Sequence, residues 1–257
     1  MVIVAIANQK GGVGKTTTAI NLSACVAQSG YRTLAIDIDP QGNMTSGLGV
    51  GKSAERPSIY DVLINETSIS QAVCPTPMEH LFLVPANIAL AGAEVELVSV
   101  MAREYVLQKA LETIRDEYDF VFIDCPPSLG LLTLNALTAA DKLLVPIQCE
   151  FFALEGLTQL MSTVALVRRH LNDALEVEGV VMTMFDSRTN LSQQVVEEVK
   201  RFFPNRVYSS FIPRNIRLAE APSFGLPVVM YDRACTGAAA YASLAQEFIL
   251  ASMEGEK

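Results

Sequence analysis

The stretch "VIVAIANQKGGVGKTTTAINL", residues 2–22, restricts the fold more than any other part of the sequence. Its apolar run, 2–7, has no polar face and reads as a strand buried on both sides. The run passes through a glycine-rich turn into a helical pattern, 16–29, which Gly30 closes. A strand that delivers glycines to a helix start forms a phosphate cradle. Gly11, Gly12 and Gly14, with Val13 between them, let backbone N–H groups close around phosphate oxygens, and the helix N-terminus adds its positive end. Lys15 then falls on the β- and γ-phosphates, the Thr16 hydroxyl on a magnesium ion, and Thr17 on the α-phosphate side. Two details are left over: a second lysine, Lys10, at the loop entrance, and Gln9 where G-x-x-x-x-G-K-[ST] has its first glycine.

The rest of the chain repeats the strand–turn–helix rhythm. Apolar runs at 33–38, 81–85, 120–124, 143–147, 179–184 and 207–212 read as further strands, and 191–203 as another helix. Such alternation predicts a doubly wound α/β fold, a mostly parallel sheet flanked by helices. With 257 residues, 50% of them hydrophobic and 18% charged, the chain can bury a large core, and 1–257 is read as a single domain. "GKSAERPS" (51–58) is its most loop-like insertion. The apolar runs fall short of the roughly 18 residues that span a bilayer, and the start carries no basic leader, so a cytosolic protein is expected. Five scattered cysteines without a C-x-x-C pair, and two distant histidines, read as reduced core thiols and no zinc or disulfide framework.

Two further stretches bring carboxylates to strand ends. "YDFVFIDCPP" ends a strand at Asp124, where a carboxylate can hold Mg²⁺ through water, and Pro126 and Pro127 stiffen the following turn. "LAIDIDPQGNMT" places Asp37 and Asp39 two residues apart, so both point the same way from an extended chain. One of the pair could do no more than cap the turn. The other, just past the strand end, could orient or deprotonate an attacking water, and that task is assigned to Asp39.

Taken in order, "KGGVGKTT", "DxDPQGN", "DCPPSLG", "PIQCEFFALEGL", "MFDSRTNLS" and "IPRNIRLAEAPSFGLPV" resemble the ParA/Soj chromosome- and plasmid-partitioning ATPases, a branch of the deviant Walker A (MinD/ParA) class of P-loop NTPases. The resemblance runs from end to end. It implies ATP and Mg²⁺ as cofactors, with Thr16, Asp39 and Asp124 on the metal side and Lys10, Lys15 and Asp39 serving hydrolysis. It also accounts for the leftover lysine. Lys10 matches the signature residue that crosses a homodimer interface to the partner's ATP, so that ATP acts as glue, and Gln9 replaces a glycine this motif does not require. The adenine pocket is expected to involve Met184 and the turn formed by Pro213, Arg214 and Asn215.

The family resemblance further implies that the ATP-bound dimer binds double-stranded DNA without sequence preference and works with a ParB-like centromere-binding partner, on the nucleoid. A net charge of −9 argues against a surface that is basic all over. Residues 186–233, however, carry seven bases against five acids, and supply the candidate DNA contacts. Arg188 matches a DNA-contacting arginine of Soj-like proteins; Lys200, Arg201, Arg206 and Arg217 are candidates by charge alone.

A MinD-like membrane ATPase would need a basic amphipathic C-terminal helix, and "YASLAQEFILASMEGEK" is acidic. Cluster ligation by cysteines lacks its motif. Two readings stay open beside partitioning: positioning of another cargo, and a metabolic ATP-dependent enzyme that phosphorylates a carboxylate substrate on the same scaffold.

Overall fold

The computed structural model describes residues 1–52, 56–151 and 154–254. Part of the loop expected at 51–58 lies outside them. The first half of the chain forms β1 (Val2–Ile6), α1 (Lys15–Gln28), β2 (Thr33–Asp37), α2 (Asn43–Gly47), α3 (Ile59–Ile64), α4 (Ile69–Ala72), β3 (Cys74–Pro75), β4 (Leu81–Val84), α5 (Leu90–Glu96) and α6 (Val106–Glu112). The second half forms β5 (Phe120–Asp124), α7 (Leu131–Ala139), β6 (Lys142–Gln148), α8 (Glu155–His170), β7 (Glu176–Thr183), α9 (Asn190–Phe202), α10 (Ile216–Glu220), α11 (Val228–Tyr231) and α12 (Thr236–Glu254).

The described strands form one seven-stranded sheet in the order β3-β4-β2-β5-β1-β6-β7. Every neighbouring pair is parallel except β3 with β4. Strand residues alternate between two apolar layers. Ile3, Ala5, Val121 and Ile123 face one, together with α7 and α8, while Val4, Ile6, Phe120 and Phe122 face the other, together with α1 and α12. In the second layer the Phe248 ring of α12 lies 5.5 Å from both Phe120 and Phe122. Burying an aromatic of this size contributes roughly 1.5–3 kcal/mol. Helix α1 is buried almost all round, because α12 covers the side that the sheet leaves open.

Six of the seven expected strands form, and the run 207–212 does not. It lies beside β7 without pairing continuously: Val207 bridges Val180, the Tyr208 amide donates to the Val180 carbonyl at 3.0 Å and the Ile212 amide to the Met182 carbonyl at 2.8 Å. The physical reason lies in its centre. The Ser209 and Ser210 amides donate to the Glu247 carboxylate of α12, at 2.7 and 3.1 Å, instead of joining a ladder. Strand β3 escaped sequence reading because it is two residues long and contains a proline, which a sheet tolerates at its edge.

The strand order reverses around β1. Chain leaving β1 crosses to β2 on one side, and later strands β6 and β7 add on the other. The crevice at the C-terminal ends of β1, β5 and β2 is therefore a topological switch point, the place where such sheets bind ligands. Ile6 pairs with Asp124, and Asp124 with Asp37, so both carboxylates sit at that edge.

Candidate functional site

The glycine loop leaves β1 at this edge and closes on α1. Gly12 and Gly14 take φ of 76° and 86°, left-handed values at which a side chain would be strained. Helix α1 opens with no side-chain cap and no acid in its first turn, so no carboxylate in that turn competes with an anion at the helix end. The Thr183 hydroxyl donates to the Val13 carbonyl at 2.8 Å and ties the loop to the end of β7. At the entrance, the Lys10 amide donates to Asn8 Oδ1 (3.0 Å), and Asn8 Nδ2 donates to the Pro146 carbonyl of β6 (2.8 Å).

The two lysines behave differently. Lys15 is 6% exposed, and its Nζ donates to the Lys10 carbonyl at 3.2 Å. Burial pulls its pKa down, while the charges of Asp124, Cys125 and Asp39 push it back up. The Lys10 side chain is about one-third exposed at 31% and forms an ion pair with Glu150, just beyond β6. Gly11 and Gly12 are exposed, and Thr16 and Thr17 half-buried, so the loop presents its backbone outward.

Asp124 is fully buried, and neither of its carboxylate oxygens has a hydrogen-bond partner. Burial raises its pKa well above the ordinary carboxylate value, and Asp37 adds to the rise. The Thr16 hydroxyl and Lys15 oppose it; Thr16 lies close by without closing a hydrogen bond. An orphaned buried carboxyl is costly, and such a group calls for a missing partner. A hard divalent cation, shared with a threonine hydroxyl and phosphate oxygens, suits this oxygen donor set.

Asp37 and Asp39 differ sharply. Asp37 is fully buried and accepts from the Asp39 amide (3.1 Å), the Thr45 amide (2.8 Å) and the Thr45 hydroxyl (2.7 Å). Burial pushes its carboxyl up to about 6 against those three hydrogen bonds. Asp39 is 8% exposed, and one of its oxygens accepts the Gln41 amide at 2.9 Å. Asp37 thus holds the turn, and Asp39 stands at the crevice near Lys15.

Met184, Pro213, Arg214 and Asn215 come together around a cavity of about 340 Å³ that opens beside Gly14 and Thr17. Sequence reading missed Thr183, Leu218 and Tyr241, which complete its wall. Tyr241 lies on α12, 3.1 Å from the Thr18 hydroxyl, and no motif flagged it. Met184 has φ of 52°, which turns the chain out of β7 toward this cavity. The Asn215 side chain is already engaged, accepting from the Arg217 amide and donating to the Thr236 hydroxyl, both at 2.8 Å. Base recognition there would fall to the backbone.

The candidate DNA contacts do not form one patch. Arg188, with 86% of its side chain exposed, forks onto Asp186 through Nε (2.9 Å) and Nη2 (2.7 Å). These bonds hold the Asp186 carboxyl at about 2, and Arg214 lies near enough to contribute. Lys200 places Nζ over the Phe211 ring at 5.9 Å, and Arg201 is exposed beside it on α9. Arg206 instead donates to the Val177 carbonyl near the start of β7. That is roughly 20 Å along the strand from Thr183, at a rise of about 3.3 Å per residue. Arg217 is bound to Glu220 (2.7 Å) and Asp232 (3.3 Å).

The family described as AAA domain matches residues 1–177. The chain is 55% identical to the sporulation initiation inhibitor protein Soj of Bacillus subtilis, over 95% of this chain and 97% of that protein. It is 54% identical to the chromosome partitioning protein ParA of Caulobacter vibrioides, over 96% of this chain and 93% of the relative. Among solved structures, cobyrinic acid a,c-diamide synthase from Mycobacterium smegmatis with bound ATP analog and magnesium superposes with a TM-score of 0.88 at 38% identity, covering 99% of this chain and 97% of that one. Identity above one-half along nearly the whole length of both partitioning proteins, on a parallel sheet with this loop at its switch point, places the chain in the ParA/Soj family of chromosome-partitioning ATPases.

Proposed function

We propose that residues 1–257 act as one ATP-dependent switch. The protein binds ATP and Mg²⁺, pairs with a second copy, holds non-specific DNA in that paired state, and releases it on hydrolysis during segregation of a chromosome or plasmid. The observation that carries the reading is the orphaned Asp124 carboxylate, buried behind Thr16 and Lys15 at the mouth of the glycine loop. A cation brought by a nucleotide would supply the partner that this carboxylate lacks.

In this reading the loop amides and Lys15 bind the phosphates, and Thr16, Asp39 and Asp124 take the metal side. The magnesium ion, when bound, neutralises phosphate charge. Asp39 orients or deprotonates the attacking water. The cavity beside Met184, Pro213, Arg214 and Asn215 receives adenine. Lys10 exchanges Glu150 for the phosphates of the facing subunit. Arg188, with some of Lys200, Arg201, Arg206 and Arg217, meets DNA phosphates. A ParB-like protein is the partner, and the protein works in the cytoplasm on the nucleoid; among the described residues no helix is long and apolar enough to cross a membrane.

One observation favours a second reading. The structural relative at 38% identity bears the name of a metabolic amide-forming enzyme. The deciding measurement is ATP turnover alone, with duplex DNA, and with DNA plus a ParB-like protein. A partitioning ATPase is slow alone and speeds up when both are present. Turnover indifferent to DNA and partner, yet raised by a small carboxylate substrate, would favour the metabolic enzyme.

A further inference from the structure

Thr45 lies in the first turn after the "DPQG" bend, fully buried, and no motif assigns it a task. Its backbone amide and its hydroxyl both donate to Asp37 Oδ2, at 2.8 and 2.7 Å. The same hydroxyl accepts the Ala86 amide at 2.9 Å, from the chain leaving β4. Asp37 Oδ1 in turn accepts the Asp39 amide at 3.1 Å, and Asp37 stands in register with Asp124 across β2 and β5. One hydroxyl therefore joins the exits of β2 and β4, and through Asp37 it reaches the residue that carries the Asp39 carboxylate.

We propose that Thr45 is a positioning residue for hydrolysis: its hydroxyl, donating to Asp37 and accepting from Ala86, fixes the loop that holds Asp39 against the strand ends. The inference rests on the reading of Asp39 as the hydrolytic residue. On the strand side of Asp39 the loop is anchored by the Ile38 amide, which donates to the Asp124 carbonyl of β5 at 3.1 Å; past Asp39 it has less to hold it. Gly42 bends it with φ of 60°, and its remaining ties are local, the Gly42 amide to the Asp39 carbonyl (2.8 Å) and the Gln41 amide to Asp39 Oδ1 (2.9 Å). Lys52 adds an exposed bond from its Nζ to the Gln41 carbonyl at 2.6 Å. None of these three fixes the loop to the sheet. The Thr45–Asp37 pair does, with every atom out of water, where a satisfied polar network is rigid and a broken one is not. A water-directing carboxylate needs that rigidity, because a misplacement of about 1 Å can cost on the order of 100-fold in rate. Phosphate binding by the glycine loop does not depend on it.

The test compares Thr45→Val, which keeps the shape and loses the hydroxyl, with Thr45→Ser, which keeps the hydroxyl, both in the full chain. Thr45→Val should lower kcat for ATP hydrolysis roughly 10–100-fold while KM for ATP stays within about twofold. In nucleotide-free protein its Asp39, Gln41 and Gly42 amides should exchange with deuterium at least about tenfold faster, as local opening becomes easier. Thr45→Ser should restore both measurements to within about threefold of the parent. A Thr45→Val protein with parental kcat and parental exchange overturns the proposal, as do equal losses in the valine and serine variants. If the valine variant does not fold, Thr45→Ala is compared with Thr45→Ser by the same two measurements and the same criteria. Asp39→Ala, run in parallel, separates the two ideas. Parental turnover in Asp39→Ala sinks the hydrolytic reading of Asp39; an inactive Asp39→Ala beside a fully active Thr45→Val sinks only the role of Thr45.

Discussion

Single side chains in the crevice trade stability for chemistry, and Asp124 shows the trade most plainly. Its folded-state pKa lies well above the ordinary carboxylate value, so there is a pH range in which the native state keeps a proton that the unfolded chain has released. Stability from this site is therefore present at low pH and is lost as pH rises from about 4 toward neutrality. Asp124→Asn removes the ionisable group without changing the shape. The nucleotide-free variant should melt higher than the parent at pH 7.5, by roughly 2–4 °C for each kcal/mol relieved. The further rise in melting temperature on adding ATP with Mg²⁺ should shrink in the variant, because on the proposed reading that carboxylate is the group the cation compensates. An unchanged apo midpoint with an intact magnesium-dependent rise would remove Asp124 from the metal side. Lys10 poses a different question. Its ion pair with Glu150 occupies it within its own subunit, so a role across an interface requires a change of partner. Lys10→Ala should keep ATP binding through Lys15 and lose ATP-driven pairing and turnover. Light scattering after gel filtration, with and without ATP, reads the outcome; a variant that still pairs on ATP refutes the cross-subunit role.

The elements decide which of those side chains can meet. Strand β7 and helix α9 are joined by the turn that carries Arg188, and the Asp186 carboxylate braces the guanidinium toward solvent. Arg188→Glu should weaken DNA binding strongly and leave ATP-driven pairing alone, because the Arg188 side chain is engaged by Asp186 and solvent rather than by the phosphate loop. Gel-shift titration with a nucleotide-dependence control tests both halves, and a variant that binds DNA as the parent does would move the interface elsewhere. The same elements mark where sequence reading succeeds. Strands such as 2–7 and 120–124 are legible because burial on both faces demands unbroken apolar runs, and Asp37, Asp39 and Asp124 are legible because polar residues interrupt those runs at their ends. The run 207–212 misled because apolar content records burial, whereas a ladder also needs free amides, and Glu247 takes two of them from 38 and 37 residues away. Glu150, Tyr241 and Thr45 were illegible for a related reason. Their meaning lies in contacts with distant segments, and no local spacing encodes those. Nor does charge counted along 186–233 reveal that Arg206 and Arg188 stand at opposite ends of β7.

At the scale of the whole molecule, a chain of net charge −9 that holds DNA as proposed does so with few cations, and geometry reduces them further. Arg217 is shared between two carboxylates, and Arg206 lies far from the crevice. Of the five candidates one subunit would then offer about three to DNA, Arg188, Lys200 and Arg201, too few for firm binding at physiological salt, where counterion release sets the affinity. In the proposed mechanism pairing by ATP doubles the number on one assembly, which links nucleotide state to DNA affinity. Each phosphate neutralised adds roughly −0.9 to the slope of log K against log salt, so the ATP-bound pair, with about six cations, should give about −5. ADP-bound protein should bind far more weakly, and duplexes of unrelated sequence should bind alike, since cations on phosphates read no bases. Biolayer titration across a salt series, repeated with ATP and with ADP, measures all three. A slope near zero, or equal binding in the two nucleotide states, would mean that the basic turn is merely solvated surface, and the partitioning mechanism would then need another way to hold DNA.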